Sequence, residues 1–137
     1  MMKPLVLLVD DEAPFVETMT KRLSKRDLKI IAAFSGEEAL ELLDKNRNTD
    51  VVILDVKMPG LNGIETLEKI RNQFPLIEVI MLTGHGMKLG AFDYLMKPCE
   101  IEQLMAKVQE AAKKKRDHEE KIREARVREA LSAHGLE

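Results

Sequence analysis

Residues 5–12 read Leu-Val-Leu-Leu-Val-Asp-Asp-Glu, and this stretch decides the fold. Five consecutive apolar residues are too few for a helix and show no alternation, so they describe a strand buried on both faces, as in a parallel sheet. The run stops abruptly at Asp10, which places carboxyls where the strand leaves the sheet. Outward from this strand the pattern repeats. Pro14, a residue favoured in a first helical turn, opens a helix with Phe15, Met19 and Leu23 at helical spacing. Leu28 to Ala33 is a second strand, and Ser35-Gly-Glu-Glu38 is a capping-box signature before Ala39, Leu40 and Leu43. Val51 to Leu54 is a third strand ending at Asp55. Asn62-Gly-Ile-Glu65 then caps a helix bearing Leu67 and Ile70, which Pro75 terminates. Val79 to Thr83 and Ala91 to Met96 are the fourth and fifth strands, and after Lys97-Pro98 a last helix carries Ile101, Leu104 and Val108 on one face.

Five buried strands alternating with helices predict a doubly wound α/β fold, in which sites form outside the carboxyl ends of the strands. At those ends the sequence places Asp10 and Asp11, then Asp55, Thr83 and Lys97. Three carboxylates at one sheet edge repel one another unless a cation settles among them. Magnesium prefers oxygen ligands in near-octahedral array and keeps several waters, which suits two carboxylates, a backbone carbonyl and solvent. Asp11 and Asp55 are the best direct ligands. A carboxylate is also a nucleophile toward phosphorus, provided the incoming charge is neutralised, and magnesium, Lys97 and the Thr83 hydroxyl supply that.

Composition bounds the alternatives. The chain has 137 residues, 34% of them charged and 45% hydrophobic, with a formal net charge of -2. That is the balance of a folded domain, and it disfavours a basic nucleic-acid binder. The longest apolar runs are far short of the roughly 20 residues a membrane helix needs, and no leader-like start precedes them, so a cytoplasmic location is expected. With a single cysteine, Cys99, and three histidines, neither an internal disulfide nor a zinc cluster is expected. Charge is unevenly spread: Lys113 to Glu129 holds eight basic and five acidic residues, while residues 1–112 hold 14 and 18. The predicted organisation is a domain over residues 1–112 and a charged helical extension over 113–137.

Taken singly, Asp10-Asp11 would read as a helix cap, Thr83 as a strand-end hydroxyl and Tyr94 as a core aromatic. Taken in chain order, the set Asp10-Asp11, Asp55 within Asp-Val-Lys-Met-Pro-Gly-Leu-Asn-Gly63, Thr83-Gly84, Tyr94 and Lys97-Pro98 resembles the receiver domain of bacterial two-component response regulators. The resemblance covers roughly residues 3–112. It implies a flavodoxin-like sheet in the order 2-1-3-4-5. It also implies that Asp55 accepts a phosphoryl group from a sensor histidine kinase or phosphotransfer protein, with Mg2+ held by Asp11, Asp55, the backbone carbonyl of Lys57 and, through water, Asp10. Thr83 and Tyr94 would be switch residues, Lys97 would pair with the phosphoryl oxygens, and the Lys97-Pro98 bond would be cis. On this reading the chain is a signalling phospho-acceptor rather than an enzyme. Its partners are the kinase, a downstream target or output, and a second copy through the surface receivers use for dimers; no membrane and no nucleic acid is expected at this chain.

One departure stands out. Only seven residues separate Thr83 from Ala91, whereas a parallel crossover needs about a dozen or more, so the fourth helix of the family is missing, as though about eight positions had been removed after Gly86. A natural deletion, an engineered one and residues absent from the sequence as read all account for this, and the seamless flanks favour the last. The helix after Pro98, fifth in the family's order, runs on without proline or glycine to Gly135. Its sparse apolar positions keep no clean heptad, so it reads as a solvated helix laced by alternating charges. Two other functions compete: a degenerate or truncated receiver acting as a phosphorylation-independent interaction module, and a Mg-dependent small-molecule phosphatase, for which no substrate-binding cap is visible.

Overall fold

A computed structural model of the chain describes residues 3–56, 62–83, 93–96 and 100–135. The apolar runs all become strands: β1 (Leu5–Val9), β2 (Lys29–Ala33), β3 (Val51–Asp55), β4 (Glu78–Thr83) and β5 (Asp93–Met96). Between and after them stand α1 (Ala13–Ser24), α2 (Gly36–Lys45), α3 (Gly63–Gln73) and α4 (Ile101–Ala133). The sheet order is β2-β1-β3-β4-β5 with every pairing parallel, the flavodoxin-like arrangement.

Strand periodicity explains why the central strands carry polar side chains only at their ends. Leu7, Val9, Val52, Leu54 and Met81 point to one face, where they meet Ala39 and Leu43 of α2 and Leu67 and Ile70 of α3. Val6, Leu8, Val51, Ile53, Ile80 and Leu82 point to the other, where they meet Val16, Met19 and Leu23 of α1 and Leu104 and Val108 of α4. With both faces covered, alternation disappears from the sequence and only a continuous apolar run remains. Each such side chain contributes about 1.5–3 kcal/mol on burial, before chain entropy is set against it.

Helix starts follow the predicted caps in two cases. Ser35 Oγ accepts from the Glu38 amide at 3.1 Å, and Asn62 Oδ1 accepts from the Glu65 amide at 3.0 Å. Helix α1 instead starts after Glu12 with no side-chain cap, and Pro14 sits in its first turn. Asp10 Oδ1 accepts from the Glu12 amide at 3.0 Å, so the acidic pair precedes the helix rather than capping it. The buried stripe of α1 is Val16, Met19 and Leu23, with Phe15 packed beside it, one position from the predicted stripe.

The expected absence of a fourth helix falls on residues 84–92, outside the described residues. The flanking strands still constrain it. Ile80 pairs with Asp93 and Thr83 with Met96, so nine residues carry the chain from the end of β4 back to the start of β5. Nine extended residues reach about 30 Å, enough to return along a strand of about 13 Å but short of the usual helical crossover. Helix α4 is 33 residues long, about 50 Å at 1.5 Å per residue. It packs on the sheet through Leu104, Val108, Ala111 and Ala112 and continues unbroken across Ala112; from Asp117 to Gly135 every residue but Ala125 is exposed.

A candidate metal centre at the carboxyl edge of the sheet

Strands β1 and β3 are parallel neighbours with Val9 opposite Leu54, so the residues that follow them emerge side by side. Asp10 follows β1 and Asp55 ends β3. One carboxylate oxygen from each of Asp10, Asp11 and Asp55 lies within 4.8 Å of the others. Asp10 is fully buried and Asp55 is 6% exposed, while Asp11 faces solvent, so the trio has two buried members and one open side. The Asp10 amide donates to the Ala33 carbonyl at 3.1 Å, extending the β1–β2 ladder and setting where the acidic pair leaves the sheet.

Like charges this close disfavour one another, and an all-oxygen, all-acidic donor set is the kind that a hard divalent cation satisfies. The residues present therefore fit Mg2+ on ligand chemistry and on convergence alike. Helix α3 adds its amino end. A Cβ on Gly63 would stand 2.2 Å from the Asp55 carbonyl oxygen and 2.7 Å from the Val56 Cα, and the Gly63 amide donates to the Val56 carbonyl at 3.1 Å. Only a residue without a side chain allows this approach, which brings the positive end of the helix dipole against the end of β3. The sequence places the Asn62-Gly63 pair in a helix cap and at the end of the motif that starts at Asp55, without a reason for the glycine. The signal was a glycine in a first helical turn, where glycine costs stability unless close packing demands it.

Thr83 ends β4 at the same edge, one position past the Asp55–Leu82 pair, and Tyr94 lies in β5 opposite Met81. Lys57, Lys97 and Pro98 lie outside the described residues, so the predicted carbonyl ligand, phosphate-pairing lysine and cis bond do so too.

The opposite, amino-terminal edge holds acids that sequence reasoning missed. Asp50, buried just before β3, accepts from the Leu5 amide at 2.9 Å and pairs with Lys115 at 3.3 Å and Arg116 at 3.2 Å. Glu78, the first residue of β4, is also buried, and its Oε2 has no hydrogen-bond partner among the described residues. Burial pushes its carboxyl above the ordinary range, opposed by the positive charges of Lys114, His118 and Arg71. No local pattern announces these contacts, because Asp50 and Lys115 are 65 residues apart.

Residues 6–109 match the model of the response regulator receiver domain family. The chain belongs to that family. It is 40% identical over 111 residues to the transcriptional regulatory protein CpxR of Escherichia coli, covering 75% of this chain and 47% of CpxR. The chain thus spans about half the length of the curated relatives it matches. Among solved structures, a response regulator receiver domain protein from Clostridium thermocellum superposes with a TM-score of 0.77 at 34% identity, covering 82% of this chain and 97% of its own. The response regulator TrrA of Thermotoga maritima, in complex with Mg2+ and BeF, superposes with a TM-score of 0.73 at 32% identity, covering 79% and 98%. No helix among the described residues is long and apolar enough to cross a membrane.

Proposed function

We propose that this receiver accepts a phosphoryl group on Asp55 in a Mg2+-dependent reaction and signals through the resulting change in conformation. The observation that carries the reading is the convergence of Asp10, Asp11 and Asp55 at the carboxyl edge of the sheet. Asp11 and Asp55 would hold the ion directly, with the Lys57 carbonyl, and Asp10 through water; the bound ion would supply charge neutralisation for the transferring phosphoryl group. The donor is a phosphohistidine on a sensor kinase or phosphotransfer protein. An Asp55 carboxylate oxygen forms the new O–P bond as the P–N bond breaks, and the imidazole leaves with that electron pair and takes a proton from water. Burial of Asp55 supports this reading, since a side chain with little freedom would be positioned for in-line attack, and positioning is a main contribution a protein makes to this reaction. Lys97 pairs with the phosphoryl oxygens, aimed by a cis bond to Pro98, and Thr83 and Tyr94 respond to the new charge. The chain works in the cytoplasm as a phospho-acceptor that turns over only its own phosphate, and its output lies in a partner or in further sequence.

The test is intact mass before and after incubation with acetyl phosphate and Mg2+, for the parent and Asp55→Ala. Gain of one phosphoryl group by the parent alone supports the reading. No gain by a folded, Mg2+-binding parent overturns it. The nine-residue link between β4 and β5 favours a second reading for that outcome, a phosphorylation-independent interaction module whose acidic edge no longer transfers phosphate.

A further inference from the structure

Helix α4 rests on the sheet through an apolar stripe, Leu104, Val108, Ala111 and Ala112. Apolar stripes recur every turn, so in a slip of one turn apolar would still meet apolar, Leu104 taking the place of Val108 and Val108 that of Ala112, and volume alone would oppose it. The next position on the stripe is Lys115, only 4% exposed, with its ammonium 3.3 Å from the carboxylate of Asp50, itself 5% exposed. Arg116, half-buried, reaches the other Asp50 oxygen at 3.2 Å, and that oxygen also accepts from the first amide of β1. Asp50 therefore ties three elements at one point: the start of β1, the start of β3 and the helix one turn beyond its apolar stripe. Lys115 also meets Glu119 at 3.4 Å, so the cation is held from both sides. A one-turn slip of α4 would leave Asp50 and Lys115 buried without each other, which costs far more than the pairing itself contributes.

We propose that Asp50 is a docking socket for Lys115 and Arg116 that sets the register of α4 and extends the folded body past Ala112, so that residues 117–133 project from it in a fixed direction. Within the basic run, Lys115 and Arg116 are then a root for the extension, while Lys113 and Lys114 stay on the solvated side. The field of the neighbouring edge agrees: the positive charges of Lys114 and His118 on the same helix, and of Arg71 on α3, act on the buried Glu78 of β4. Socket and acidic trio sit at opposite ends of β3, so the socket acts whether or not Asp55 accepts phosphate.

Amide hydrogen exchange on the intact chain tests this, comparing the parent with Asp50→Asn, Arg116→Ala and the exposed control Lys121→Ala. In the parent, amides 113–117 should exchange at least about tenfold more slowly than amides 124–130, as docked helix against fraying helix. Asp50→Asn and Arg116→Ala should each speed 113–117 about tenfold while β1, β3 and β4 stay protected, and Lys121→Ala should change neither region. Loss of sheet protection in Asp50→Asn would mean that the lone buried Lys115 had unfolded the body. The parent profile and Arg116→Ala, which keeps Lys115 paired, would then decide. Exchange of 113–117 together with 124–130 in the parent, or unchanged protection in both variants with an intact sheet, would overturn the proposal.

Discussion

The two ends of β3 are both acidic, and the chain treats them in opposite ways. At the carboxyl end Asp55 is brought against two further carboxylates, Asp10 and Asp11. At the amino end, about 16 Å away at roughly 3.3 Å per residue, Asp50 is brought against a lysine, an arginine and a backbone amide. One end gathers three acids together, and the other sets one acid among two cations. The difference separates two uses of a buried acid. Matched acid holds the fold together, whereas gathered acid raises its energy until a cation arrives, and that cost is tolerated where the cation has work to do.

Substitutions can break this contrast. Asp55→Ala should have the largest effect, abolishing the phosphoryl gain from acetyl phosphate that intact mass records for the parent. Asp50→Ala should follow, costing about 3–5 kcal/mol in urea unfolding because it strands the buried Lys115; a cost under about 1 kcal/mol would show the socket to be dispensable. Asp11→Asn should do the reverse in metal-free buffer, leaving stability unchanged or slightly raised as repulsion falls. Mg2+ sharpens the same comparison: at 100 times its dissociation constant it should stabilise the parent by about 2.7 kcal/mol. Most of that gain should be missing in Asp11→Asn and retained in Arg116→Ala. Gly63→Ala should cost about 1–3 kcal/mol as its methyl forces α3 away from the Asp55 carbonyl, and should weaken Mg2+ binding in calorimetry.

The smallest effect concerns pH. Glu78 has a folded pKa above its ordinary value near 4.5, because desolvation outweighs the nearby cations. The folded state then holds more protons than the unfolded one between those two values, so this group's contribution to stability falls as pH rises through the window. Glu78→Gln should therefore remove a downward component of the stability curve there and gain on the parent as pH rises through the window. Parallel curves for the two proteins would show that Glu78 titrates normally.

How much could be read in advance differs by element. Strands β1, β3 and β4 were legible because burial on both faces leaves an uninterrupted apolar run. The caps at Ser35 and Asn62 were legible because a cap is local chemistry. The approximate meeting place of Asp10, Asp11 and Asp55 followed from parallel topology, which sends the carboxyl ends of neighbouring strands to one edge. Edges of elements were less legible: β2 starts at Lys29 rather than Leu28, and β4 at Glu78 rather than Val79. At strand ends, pairing with a neighbour decides what propensity leaves open.

By itself, then, the sequence determined the alternation of strand and helix, the parallel sheet and the acidic carboxyl edge, since each depends on patterns within a few residues or on connection rules that apply to every such fold. Only the tertiary structure decided that Gly63 must lack a side chain, that Asp50 meets Lys115 and Arg116, and that this pair roots the last helix on the sheet. Those contacts join residues far apart in the chain, and a charge in a sequence carries no mark of whether folding will set it against its opposite or against its like.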